Sequence, residues 1–153
     1  VTPVLDNFSL SGNVTFIKSE ARIWDEELEM IRATDPYHPD TRPLFGQSPY
    51  IVNAMLNYQG DSAKFNAAVA FNVQGDKLFL VTEGGAPDIY QRPTPQLDVN
   101  FSQRLGDNFS VRFRARNLLN PVNRMTYTFQ GVDYNWLANT QGRTYSLSLS
   151  YTL

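Results

Sequence analysis

Three arginines at two-residue spacing, Arg112, Arg114 and Arg116, are the densest chemistry in this chain of 153 residues. Side chains two positions apart share one face of a strand. FSVRFRARNLL therefore sets three guanidiniums in a row opposite Phe109, Val111, Phe113 and Ala115. Such a row can pair with carboxylates or favour an anionic solute, and its plainer use is a solvated or salt-bridged wall. Asp35, His38 and Asp40 fall close together, but one histidine and two aspartates in a Pro-flanked segment preorganise poorly. No metal or other cofactor is expected there. Trp24, Tyr37, Phe45, Tyr134 and Trp136 lie in polar stretches, where they can stack on a sugar or peptide ligand or simply anchor and pack the loops. His38 is the only histidine, no GxSxG or P-loop occurs, and Gly84-Gly85 lacks a following helix and lysine. The chain is therefore not expected to be an enzyme.

The elements that must hold these residues are strands. In QGRTYSLSLSYTL, Tyr145, Leu147, Leu149, Tyr151 and Leu153 alternate with Ser146, Ser148, Ser150 and Thr152, so one face is apolar and the other hydroxylic. An apolar row edged by tyrosines suits a strand that faces lipid, although a sandwich strand alternates too. NFSLSGNVTF opens the chain the same way and predicts a strand running on towards Trp24. DEELEMIR predicts a short surface helix with Asp25 as N-cap and an acidic first turn, most simply a solvated face; the rest of 25–48 reads as loop. YIVNAMLNYQ sets Tyr50 and Tyr58 on one face, roughly 20 Å apart along a tilted barrel axis, one for each membrane interface. QGDSA reads as a tight turn leading into KFNAAVAFNV. Gly75 and Asp76 interrupt the pattern as a bulge before the strand resumes in KLFLV, and 82–95 is polar loop. QLDVNFSQRL, the tight turn Gly106 to Asn108, and FSVRFRARNLL follow, then a third long connection, 119–140, in which MTYTF and YNW extend the strands.

Long and tight connections thus alternate along about six strands, as in outer-membrane barrels with short periplasmic turns and long outer loops. Composition agrees. The net charge of -2 excludes a general nucleic-acid binder. The absence of cysteine excludes a disulfide framework. A mean hydropathy of -0.36, with no long apolar run, excludes helical spans while leaving strands open. The start, VTPVLDNF, has no signal-peptide pattern, so a processed chain or a piece of something longer is expected.

PQLDVNFSQRLGDNFSVRFRARNLLNP, followed by a loop and GRTYSLSLSYTL, resembles the C-terminal end of TonB-dependent outer-membrane receptors, particularly the Bacteroidota type. In that family NLLNP ends the penultimate strand and a Gly-Arg-aromatic segment opens the last. Thr140, Gly142, Tyr145, Leu147, Tyr151 and Leu153 resemble the signal read by the barrel assembly machinery, with Leu153 in place of the usual final aromatic. The resemblance implies an all-β fold in which residues 1–153 form about the last six strands of a 22-stranded antiparallel transmembrane barrel with a plugged lumen. Six strands cannot close alone. It further implies import of a large or scarce nutrient such as a siderophore, glycan or peptide across the bacterial outer membrane. Partners would be membrane lipid, the remaining strands and plug, the TonB energising complex, the assembly machinery and a surface lipoprotein, with no nucleic acid. In that setting Arg112, Arg114 and Arg116 face the lumen, and Tyr37, Phe45, Tyr134 and Trp136 face an extracellular ligand. Two alternatives remain open: a structural or scaffold barrel subunit of a secretion or adhesion complex, and a soluble β-sandwich ligand-binding module.

Overall fold

The computed structural model describes residues 7–60 and 64–152. Asp61 of the expected QGDSA turn and Leu153 of the expected assembly signal lie outside them. The protein is all-β and antiparallel apart from one helix. In chain order the elements are β1 (Phe8–Phe16), β2 (Ala21–Arg22), α1 (Asp25–Arg32), β3 (Thr41–Arg42), β4 (Tyr50–Gln59), β5 (Phe65–Gln74), β6 (Lys77–Leu80), β7 (Ile89–Gln91), β8 (Gln96–Leu105), β9 (Phe109–Arg116), β10 (Asn123–Phe129), β11 (Val132–Asn139) and β12 (Thr144–Tyr151). Three sheets result: six strands ordered β1-β4-β5-β8-β9-β12, four ordered β11-β10-β7-β6, and the pair β2-β3.

The register of the six-stranded sheet sorts most of its residues by polarity, with Gln103 on the apolar face and Ile51 and Met55 on the polar face as exceptions. Residues directly opposite in an antiparallel ladder share a face. Phe8 faces Tyr58, Leu10 faces Leu56 and Phe16 faces Tyr50. The same apolar row continues through Val69 opposite Val99, Phe101 opposite Phe113, and Leu147 opposite Phe113. Ring contacts between 4.8 and 6.4 Å link Phe8, Tyr58, Phe65, Phe101, Phe113 and Tyr145 across all six strands. Every residue of β1 and β12 is exposed, and Leu147 is 66% accessible. Among the described residues, nothing packs over this apolar face, so the dry core that a sandwich would need is not formed there.

The core lies elsewhere. Ile23, Leu28, Leu78 and Ile89 are buried, Leu78 to 1%, and all four belong to the long connections; in the six-stranded sheet only Ala115 reaches that class. Gly46 N–H donates to Leu78 O at 2.8 Å, β7 pairs with β10, and Arg92 N–H donates to Arg124 O at 2.9 Å. Gly85, at φ 77°, brings its α-carbon so close to the α1 backbone that a Cβ would sit 2.8 Å from Met30 O. The three excursions thus form one unit on the side of the sheet opposite its tight turns.

Several sequence expectations change. β1 stops at Phe16 rather than running towards Trp24: Ile17 N–H still bonds Pro49 O at 2.9 Å in the same register, but Pro49 has no N–H with which to carry the ladder further. Asp25 is the first helical residue, not the cap; Trp24 holds the cap position without a side-chain bond, and Asp25 pairs with Arg22 at 3.0 Å. KLFLV does not extend β5 but enters the second sheet as β6, where Leu78 supplies the core. The stretches read as loop contain β3 and β7, and MTYTF and YNW do not extend the strands of the six-stranded sheet but belong to β10 and β11 of the second sheet. β10 and β11 form a hairpin over the two-residue turn Gln130-Gly131, with φ of 50° and 77°, the left-handed pair such turns require. FSVRFRARNLL ends as a strand at Arg116, since Asn117 adopts φ 56°.

Candidate functional site

The polar face of the six-stranded sheet is where sequence and geometry converge. A hollow of about 630 Å³ lies over it, lined by Ser9, Asn57, Asn66, Asn100 and Arg112 from five successive strands together with residues alternating with them. The sheet is therefore concave on its polar side and convex on its apolar side. Arg112 stands opposite Ser102 and Ser148, and Arg114 stands opposite Asn100 and Ser146. Arg114 Nε donates to Asn100 Oδ1 at 3.0 Å. Among the described residues, Arg112, Arg114 and Arg116 have no carboxylate within ion-pair distance. Asp98, the acid of β8 on this face, accepts from Asn117 N–H at 2.9 Å. Further along the same face, beyond this hollow, Asn72 Nδ2 donates to Asn53 Oδ1 at 2.6 Å.

A smaller hollow of about 180 Å³ opens where this face meets the four-stranded sheet. Asn72, Gln74 and Gln96 reach it from β5 and β8, Gln91 and Asn123 from β7 and β10, and Gln141 from the approach to β12. Gln91 Nε2 donates to Asn123 Oδ1 at 3.2 Å. Lys77 and Arg92 also border the space. Arg92 is held by Asp76 at 3.4 Å and Asp133 at 2.8 Å, whereas Lys77 has no carboxylate in reach among the described residues. A third hollow, about 240 Å³, lies between α1, residues 85–88 and the tip of the β10-β11 hairpin.

The expected ligand aromatics are not assembled. Tyr37 is 96% exposed and Phe45 also projects into solvent. Tyr134 stacks on Tyr127 with centroids 5.4 Å apart, and Trp136 lies 6.2 Å from Phe79. Among the described residues no ring pair joins any two of Tyr37, Phe45, Tyr134 and Trp136, so the tyrosine and tryptophan of β11 pack the loop unit. His38 Nδ1 lies 3.3 Å from Asp35 Oδ2. No three acidic, cysteine or histidine residues gather to hold a metal among those described.

The resemblance motif has a mechanical role at the last strand. Asn117 Nδ2 donates to Gly142 O at 2.7 Å, Gly142 N–H donates to Asn120 Oδ1 at 3.0 Å, and Arg143 Nε donates to Leu118 O at 2.8 Å. Asn117 and Asn120 both take left-handed φ, a conformation asparagine tolerates better than most residues. At the other end Asn108 Nδ2 donates to Thr152 O at 2.6 Å. Gly142 therefore acts here as a clamp point, while Tyr145, Leu147 and Tyr151 stand on the convex face.

Sequence reasoning missed Arg42, which is 9% exposed and ion-paired with Glu27 and with Asp88 at 3.2 Å. Burial raises the Asp88 carboxyl above its ordinary value, against the Thr82 N–H and Arg42, which lower it. Burial likewise raises Tyr90, helped by the nearby Asp88 charge. Single polar residues in aperiodic loops carry no pattern that marks them as buried. The chain matches no family model, and comparison with curated proteins and with solved structures finds no match.

Proposed function

We propose that this chain is the C-terminal wall of a TonB-dependent transporter in the bacterial outer membrane, serving uptake of a large or scarce nutrient. The carrying observation is the six-stranded sheet itself, with a broad and largely exposed apolar face on its convex side, broken by Gln103, and mainly amides, hydroxyls and arginines on its concave side. Apolar residues outside and polar residues inside is the arrangement a membrane barrel requires. The edges support the same reading. β1 and β12 are long, contain no lysine, proline or bulge, and each pairs on one side only among the described residues. Unguarded edges of this kind invite further strands. In the proposed protein these are the rest of a 22-stranded barrel, which encloses a plug that the TonB complex pulls upon. The convex face meets lipid, the loop unit faces outwards where a surface lipoprotein can cover it, and β12 is the strand presented to the assembly machinery.

The test places one charge on each face of β12. Leu147→Arg puts a guanidinium against lipid at a cost of about 2–4 kcal/mol near mid-membrane, whereas Ser148→Arg points into the wet interior. Recovery in the outer-membrane fraction should fall sharply for Leu147→Arg and hold for Ser148→Arg. Equal recovery of the two variants, or isolation of the unmodified chain as a water-soluble monomer, would defeat the proposal.

A further inference from the structure

We propose that the polar face takes an acidic oligosaccharide, gripping one sugar unit in the amide-lined hollow beside Lys77 and a distant acidic unit at Arg112 and Arg114. This rests on the transporter reading for its setting and narrows the solute class within it. Asn72, Gln74, Gln91, Gln96, Asn123 and Gln141 bring six carboxamides to one space. Each carboxamide offers both donors and an acceptor, the complement of a hydroxyl that donates and accepts at once. Gln74, Gln96 and Gln141 spend no side-chain hydrogen bond on the protein among the described residues, so their full capacity faces the hollow. Its volume of about 180 Å³ falls below the roughly 300–1,000 Å³ of sites that enclose a whole ligand, so it fits one unit of a longer chain.

Charge sets the second requirement. Lys77 is the cation at the hollow that no carboxylate of the described residues engages, while Arg92 is already occupied by Asp76 and Asp133. From Asn72 the polar row of β5 descends to Asn66, which pairs with Ser102 and, through it, lies level with Arg112. Those six residues span roughly 20 Å at about 3.4 Å each. The path between is amide and small side chains with Met55, and its one carboxylate, Asp98 opposite Ala70 near the middle, accepts Asn117 N–H, so the anionic groups of a ligand belong at the two ends. A chain with hydroxyls throughout and an anionic group at each end of that span matches both requirements. A siderophore would need metal-bound catecholate or hydroxamate surfaces, and a peptide would offer few hydroxyls.

The experiment uses protein isolated in detergent from the cells that make it, with calorimetric titration of tetragalacturonate, its carboxyl-reduced neutral tetramer, and tetraglutamate. Tetragalacturonate should bind, with the neutral tetramer weaker by about tenfold, as expected for loss of a charge-assisted hydrogen bond. Lys77→Gln should weaken tetragalacturonate more than the neutral tetramer and so narrow the difference between them. Gln91→Leu with Asn123→Leu should weaken both sugars by a similar factor. Equal binding of the acidic and neutral tetramers, or tetraglutamate binding as well as tetragalacturonate, would overturn the inference. So would no binding of any probe by protein that still fractionates with the outer membrane, which leaves the transporter reading standing. A water-soluble chain that binds tetragalacturonate would do the opposite, keeping the sugar site and removing the transporter.

Discussion

Replacing Arg42 by methionine keeps most of the side-chain volume and removes the one cation between Glu27 and Asp88. At 3.2 Å and an effective dielectric of about 20, the attraction to Asp88 alone is about 5 kcal/mol before desolvation is charged against it. Burial of the three groups offsets much of this, and the net cost of removing one member of a buried pair is about 3–5 kcal/mol, because its partners stay behind uncompensated. The loss falls on the loop unit, since Glu27 belongs to α1, Arg42 to β3, and Asp88 to the segment before β7. Hydrogen exchange followed by mass spectrometry should therefore show faster exchange in residues 23–42 and 82–91, by about a hundred- to a few-thousand-fold. Amides of β4, β5 and β8 should be unchanged. The triple replacement Arg42→Met, Glu27→Gln, Asp88→Asn should recover most of the protection, because the cost comes from unpaired charge rather than a lost contact. Exchange that rises equally in the six-stranded sheet, or a triple variant no better than the single one, would refute the reasoning.

Further outcomes follow from other particulars. The raised Asp88 carboxyl means that the folded state binds its proton more readily than the unfolded chain; the loop unit should lose stability as pH rises from the ordinary carboxylate range through the Asp88 value, and Asp88→Asn should flatten this slope in thermal melts. Gly75→Ala places a Cβ 2.8 Å from the Tyr50 ring and should cost about 1–3 kcal/mol of overpacking, relieved in the Tyr50→Leu background and read from melting temperature. Asn117→Ala removes the bond to Gly142 O and leaves alanine at φ 56°; a loss of about 1–3 kcal/mol and faster exchange at the start of β12 are expected.

Alternation made the six-stranded sheet legible. β4 and β8 begin and end where YIVNAMLNYQ and QLDVNFSQRL do, and the arginine row falls on the polar side as two-residue spacing requires. The same rule failed in the excursions for a physical reason. β2 and β3 are two residues each and β7 is three, too short to show a period, and their pairing is decided by partners far along the chain. KLFLV looked like the resumption of β5 because an apolar run fits either sheet, and only the burial of Leu78 against the loop unit separates the two. The concave hollow was half visible. Its asparagines on β4, β5 and β8 show openly in the alternation, whereas the smaller hollow beside it takes Lys77, Gln91 and Asn123 only through the second sheet. The NLLNP segment stands out in the sequence only by resemblance, and its hydrogen bonds to residues 142–143 give it a mechanical reason.

The shared core of the three excursions has a consequence for how such a surface can vary. Transplanting only residues 25–48 into a related scaffold would carry away Arg42 and leave Asp88 without its counter-ion, and transplanting only 119–140 would strip β7 of β10. Each graft breaks an interior instead of exchanging a tip. Diversification at this end of the molecule should then proceed by block replacement of all three segments, or by substitutions confined to outward side chains such as Tyr37 and Phe45.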